Sequence, residues 1–184
     1  MRVISGKLKG RVIKGYDIEG TRPTMDRVKE SVFASIQDYI DGSVVLDLFA
    51  GSGNLGIEAI SNGACKCYFV DHNRECIRVI KENILEFGIG NSCVVIENDY
   101  KRALEQFRNQ GIQFDIIFVD PPYRDRILVE LLDNVREMEL LSLDGIIVLE
   151  YQVGDSLEDI YGYQLLKKKK YGDKYVSIYL ILEN

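Results

Sequence analysis

Apolar and polar positions change period several times along the chain. Between residues 44 and 150, short apolar runs alternate with stretches whose apolar residues recur every three or four positions. The short runs predict buried strands, and the longer period predicts helices that cover them. Strands are expected at Val44–Phe49, Lys66–Asp71, Ser92–Glu97, Phe114–Asp120 and Gly145–Glu150. Helices are expected at Asn54–Ser61, Asn73–Phe87, Tyr100–Gln110 and Arg126–Met138. Asn73 suits an N-cap, and Gly88 and Gly111 suit helix ends. Upstream, Val28, Val32, Phe33, Ile36, Tyr39 and Ile40 have helical spacing behind Arg22-Pro23-Thr24.

The two ends of the chain differ from this rhythm. Residues 1–20 alternate basic and apolar positions, with glycines between them, which predicts short strands joined by turns. Tyr163–Tyr171 and Lys174–Leu182 alternate around Gly172-Asp173, which predicts a terminal hairpin. The fold expected is α/β: a doubly wound, mostly parallel seven-stranded sheet of Rossmann-like type, with right-handed crossovers. It carries an N-terminal β-hairpin extension and a C-terminal antiparallel hairpin. Within one compact domain, residues 1–22 form a basic arm and residues 23–184 the body.

Charge refines this division. The net charge is −6, yet residues 1–30 carry eight basic and four acidic residues, while the remainder carries 15 basic and 25 acidic. A basic segment therefore precedes an acidic body. No stretch approaches the ~20 apolar residues of a membrane span, and the N-terminus has no apolar signal region. Four cysteines and a single histidine, His72, make neither a disulfide framework nor a metal site. Reduced thiols in a cytoplasmic protein are the expectation.

Four predicted strands end at or just before an aspartate: Asp47, Asp71, Asp99 and Asp120. Each alone suits a turn or a helix cap. In an open α/β sheet, however, ligands bind at the carboxyl ends of the strands, so together the four make a negative rim suited to a cationic ligand. The first turn contains Gly51-Ser52-Gly53-Asn54-Leu55-Gly56, and Asp71 follows Gly51 by 20 residues. This is a dinucleotide-type fingerprint, with glycines that let the backbone approach a ligand and an acid for ribose hydroxyls. Asp47 is placed for a ligand ammonium and Asp99 for an adenine amine. Both favour S-adenosylmethionine (SAM) over a pyrophosphate-bearing cofactor.

Asp120-Pro121-Pro122-Tyr123 follows the apolar strand from residue 114. The prolines fix φ and remove two donors, leaving a stiff turn with free carbonyls. The Asp120 side chain and the Pro121 carbonyl suit acceptance of both hydrogens of a planar exocyclic amine. Tyr123 offers a face for a base, an interaction worth roughly 1–3 kcal/mol.

Asp47-Leu48-Phe49-Ala50-Gly51-Ser52-Gly53 and Asp120-Pro121-Pro122-Tyr123 resemble two motifs of class I SAM-dependent amino-methyltransferases. Arg2-Val3-Ile4-Ser5-Gly6, Lys9-Gly10, Thr21-Arg22-Pro23-Thr24 and Asp26-Arg27-Val28-Lys29-Glu30 resemble the RsmD family, which methylates guanine N2 of 16S ribosomal RNA. The resemblance spans the chain. It departs at Asp71, where a glutamate is commoner. It implies catalytic roles for Asp120, Pro121, Pro122 and Tyr123, and SAM contacts from Asp47, Phe49, Gly51, Gly53, Asp71 and Asp99. It also implies a 16S rRNA partner, free or within an assembling small ribosomal subunit. The cations Arg2, Lys7, Lys9, Arg11, Lys14, Arg22 and Arg27 are the expected RNA contacts. A monomer is expected. The acid–Pro–Pro–aromatic turn by itself suits adenine N6 of DNA or RNA equally well. A nicotinamide-dependent oxidoreductase fits the glycines but not Asp47 or the Asp120 turn, and a non-catalytic RNA-binding module would not need the rim acids.

Overall fold

The computed structural model describes residues 1–15, 23–121, 127–152, 157 and 160–182. Five strands run parallel: β1 (Val44–Asp47), β2 (Lys66–Asp71), β3 (Cys93–Glu97), β4 (Phe114–Val119) and β5 (Leu141–Gln152). Two more, β6 (Tyr163–Tyr171) and β7 (Lys174–Ile181), form the antiparallel hairpin at the far edge. The order is β3-β2-β1-β4-β5-β7-β6, so the chain reverses direction of travel between β1 and β4. That is the topological switch point, where a crevice opens above the strand ends.

Successive strand residues point to opposite faces, and the core divides accordingly. Val45, Phe69, Ile116, Phe118, Val148 and Val176 face one layer, built from α1 (Pro23–Ser35), α3 (Asn54–Ser61) and α4 (Arg74–Phe87). Leu46, Val70, Ile117, Val119, Leu149 and Tyr179 face the other, built from α5 (Tyr100–Gln110) and α6 (Ile127–Glu137). At the top edge the same alternation sends Asp47, Asp120, Glu150 and Lys174 toward the α1–α3 side.

Most expected elements appear within a residue or two. The helix expected to continue through Ile40 breaks at Ile36 and resumes as a short α2 (Gln37–Ile40). Ser35 Oγ donates back to the Ser31 carbonyl at 2.7 Å, the type of bond that bends helices. Strand β5 begins four residues before Gly145, because Leu141 pairs with Phe114 across a bulge. Among the described residues, the N-terminal hairpin shows one bridge, Arg2 with Val12, around a 3-10 turn at Gly6–Leu8. Val3, Leu8 and Ile13 are buried in the α1–α3 layer, so residues 1–15 lie on the body instead of projecting from it.

A fully buried carboxylate anchors that segment. Glu58, in α3, accepts from the Ile4 and Ser5 backbone N–H groups at 2.9 and 2.8 Å, and from Ser5 Oγ at 2.9 Å. Its charge is matched by Lys29 of α1, 2.9 Å away and equally buried. The Lys29 ammonium also donates to the Arg2 carbonyl and to Asn54 Oδ1, so all three of its protons are used. Removing one member of such a pair leaves an uncompensated buried charge, at a cost of about 3–5 kcal/mol. Lys29→Ala is therefore expected to lower the unfolding free energy by about that amount. Urea denaturation measures it, and a loss below about 1 kcal/mol would show that the pair is not the anchor.

Candidate active site

The loop after β1 is shaped by its glycines. Gly53 caps α3 with φ of 81°, a conformation that favours glycine. At Gly56 a side-chain carbon would fall 2.3 Å from the Phe69 ring, so only glycine lets α3 lie this close to β2. The freed Gly56 N–H donates to Asp47 Oδ2 at 3.0 Å, which holds that carboxylate at the start of the helix. At Gly51 a side-chain carbon would meet nothing within 4 Å, because this residue borders open space.

That space is a cavity of about 450 Å³ above the switch point. Asp47, Phe49, Gly51 and Asp120 line it together, with Lys29, Asn54, Glu150, Tyr171, Asp173 and Lys174 around them. Burial pushes the Asp47 carboxyl up to about 7, against the pull of the Gly56 N–H and with added repulsion from Asp71. Asp120 is also raised to about 7, by burial first and then by Glu150, while Lys174 draws it down. Among the described residues, the lysines at the cavity are each matched, Lys29 by Glu58 and Lys174 by Glu150. The donor set therefore leaves an excess of carboxylate. It fits the ammonium and sulfonium of SAM and disfavours a pyrophosphate.

The other rim acids are placed differently. Asp71 holds the glycine loop, accepting from Gly51 N at 2.9 Å through one oxygen and from Asn73 N at 2.9 Å through the other. Asp99 caps α5 by accepting from Lys101 N at 2.9 Å. Neither lines the cavity, and Gly53 serves packing. Phe49 connects the two regions, with its ring 5.5 Å from that of Tyr100 beside Asp99. Pro121 follows Asp120 directly; Pro122, Tyr123 and Arg22 lie outside the described residues.

The basic residues divide as well. Arg2, Lys7 and Lys9 are exposed. Arg11 lies over the Phe87 ring and donates to the Glu86 and Phe87 carbonyls, which completes the C-terminus of α4. Lys14 pairs with Glu86 at 3.0 Å. Arg27 is exposed on α1. Sequence reasoning passed over Glu150, Lys174 and Glu58. Glu150 had a visible signal, since it ends its predicted strand as the four aspartates do. Glu58 had a weaker one, a lone charge within the apolar helix Ile57–Ile60.

Comparison with known proteins agrees with this geometry. The family model described as conserved hypothetical protein 95 matches residues 1–180. YlbH of Bacillus subtilis (strain 168) is 43% identical over 180 residues, which cover 97% of this chain and 98% of the relative. Ribosomal RNA small subunit methyltransferase D of Escherichia coli (strain K12) is 32% identical over 160 residues, covering 87% of this chain and 79% of that protein. The solved structure of yhhF from Escherichia coli superposes with a TM-score of 0.88 at 26% identity, covering 100% of this chain and 99% of that one. With a family match over nearly its whole length and relatives of this identity and coverage, the chain belongs to the conserved hypothetical protein 95 family, the RsmD family of SAM-dependent methyltransferases.

Proposed function

We propose that this methyltransferase modifies the exocyclic N2 amine of a guanine in 16S rRNA. The observation that carries the reading is the placement of Asp47 and Asp120 in one cavity at the switch point, each with its carboxyl raised to about 7. The rRNA substrate is supported by the relatives, among them small subunit methyltransferase D of Escherichia coli. The choice of guanine N2 is supported by the family resemblance. The nicotinamide alternative falls with family membership.

SAM, when bound, supplies an electrophilic methyl group. Asp47 neutralises a ligand cation, Phe49 and Gly51 line the space beside it, and Asp71 shapes the loop that Gly51 belongs to. Asp120 and the Pro121 carbonyl accept the two hydrogens of the guanine amine, which frees the nitrogen lone pair. Once methylated, the amine nitrogen would carry a positive charge and an acidic proton, and the Asp120 carboxylate, raised to about 7 by burial, would be placed to accept that proton. Pro122 stiffens the turn and Tyr123 stacks on the base. Positioning of this kind supplies about 7–11 kcal/mol of the barrier. A target inside a helix must be flipped out or lie in a loop. Arg2, Lys7, Lys9, Arg22 and Arg27 hold the RNA around it. Arg11 and Lys14 join them only through what their own contacts with α4 leave accessible. The protein works as a cytoplasmic monomer, on free RNA or on an assembling small subunit. Among the described residues no helix is long and apolar enough to cross a membrane.

The deciding experiment incubates the chain with 16S RNA, with assembling small subunits and with methyl-labelled SAM, then digests the RNA to nucleosides. Label on N2-methylguanosine is expected; label on N6-methyladenosine, or none, would overturn the assignment. Asp120→Ala is expected to lower kcat at least ~100-fold and to change the SAM dissociation constant by less than about threefold, well under 1 kcal/mol. Wild-type turnover in that variant contradicts the role given to Asp120.

The raised carboxyls also set a pH dependence. The folded chain keeps protons on Asp47 and Asp120 that the unfolded chain has lost above its ordinary carboxyl range. Unliganded stability from these groups is therefore present at about pH 4 and falls as pH rises toward 7. SAM binding needs the charged form of Asp47 and is expected to strengthen from pH 6 to 8. Asp47→Asn should flatten both trends, as followed by urea midpoints and calorimetric titration across that range.

A further inference from the structure

The lysine run Lys167–Lys170 lies on β6, the edge strand. In an antiparallel pair, directly opposed residues point to the same face. Lys167 opposes Ile178 and Lys169 opposes Val176, both of which face the α1 layer. Lys168 opposes Ser177 and turns to the other face, over the Tyr175 ring. Half the run is therefore directed at α1.

There the two ammonium groups rest on hydroxyls instead of carboxylates. Lys169 Nζ donates to Ser31 Oγ at 3.1 Å, and Lys167 Nζ donates to Ser35 Oγ at 2.7 Å. Ser31 and Ser35 continue, at successive helical turns, the stripe of α1 that begins at exposed Arg27. Among the described residues, no ion pair joins Arg27, Lys167 or Lys169 to an acid. Edge-strand lysines commonly serve only to block sheet extension. Here, however, the cations converge on a helix that also walls the cavity through Val28, Lys29 and Val32. At the cavity end of the row, Lys169 lies over the Tyr171 ring, and Tyr171 lines the cavity. Cations beside an aromatic ring are the means by which proteins hold single-stranded RNA, phosphates on the one and bases on the other.

We infer that the RNA strand flanking the target nucleotide runs along the α1–β6 seam, with Arg27, Lys167 and Lys169 on its phosphates and Tyr171 under a base next to the target. The inference rests on the RNA methyltransferase reading and adds the β6 lysines and Tyr171 to the basic residues assigned to the RNA.

The test measures binding of 16S RNA by wild type and by Lys167→Gln/Lys169→Gln as a function of salt, with SAM titration as the control for folding. Two lost phosphate contacts should reduce the slope of log affinity against log salt by about 1.4–1.8. Affinity should fall about tenfold or more at low salt, with SAM binding unchanged. The Lys167→Arg/Lys169→Arg chain, which keeps the charge, should recover the slope, and Tyr171→Leu should weaken binding without altering it. An unchanged slope in the glutamine variant, while wild type binds and methylates RNA, overturns the seam but not the RNA reading. A wild type that neither binds nor methylates RNA overturns both.

Discussion

Two carboxylates that burial pushes toward neutrality share one cavity, and the surrounding structure is arranged to keep them there. Moving Asp47 and Asp120 away from water raises both to about 7, and their mutual repulsion adds to the cost. Among the described residues, local cations relieve it only in part: Lys29 is matched by Glu58, and Lys174 draws Asp120 down while paired with Glu150. A cationic occupant supplies the missing charge. The unliganded site is thus held in a state of higher free energy, which selects for a ligand with an ammonium or sulfonium and against one with phosphates.

The restraint begins far from the cavity. Glu58, wholly buried, gathers the Ile4 and Ser5 backbone and the Lys29 ammonium, and so ties α1, α3 and the first residues of the chain together. Asn83 of α4 does the same at the next contact, donating to the Lys14 and Ser52 carbonyls. The glycine loop is consequently tied at Ser52 by Asn83, at Gly51 by Asp71 and at Gly56 by Asp47. A loop held at three points presents its backbone to a ligand with little freedom left to lose on binding.

The sheet and its switch point were legible because period and strand ends are local properties. Alternating apolar runs located β1 to β5, and an aspartate after each of four strands pointed to the correct edge. What the sequence could not show was which acids share a space. Asp71 and Asp99 accept from backbone donors and lie outside the cavity lining, whereas Glu150, with an equal claim as a strand-end acid, enters the cavity. The choice depends on the distance between strands in the sheet and not along the chain. The same limit applies to the cations: Arg11 reads as an exposed arm residue but ends as a cap on α4, while Lys167 and Lys169 acquire meaning only when β6 meets α1.

Whether Asp47 meets the charge of the ligand is read from the protons released on binding. A ligand ammonium beside Asp47 should return that carboxyl toward its ordinary acidity, expelling the proton it holds below pH 7. Calorimetric titration of SAM at pH 6.5, repeated in buffers of different ionisation enthalpy, counts those protons. Release of about one proton per SAM is expected in wild type, and it should be lost in Asp47→Asn. No release, or net uptake in wild type, would show that Asp47 is not the partner of the ligand's charge.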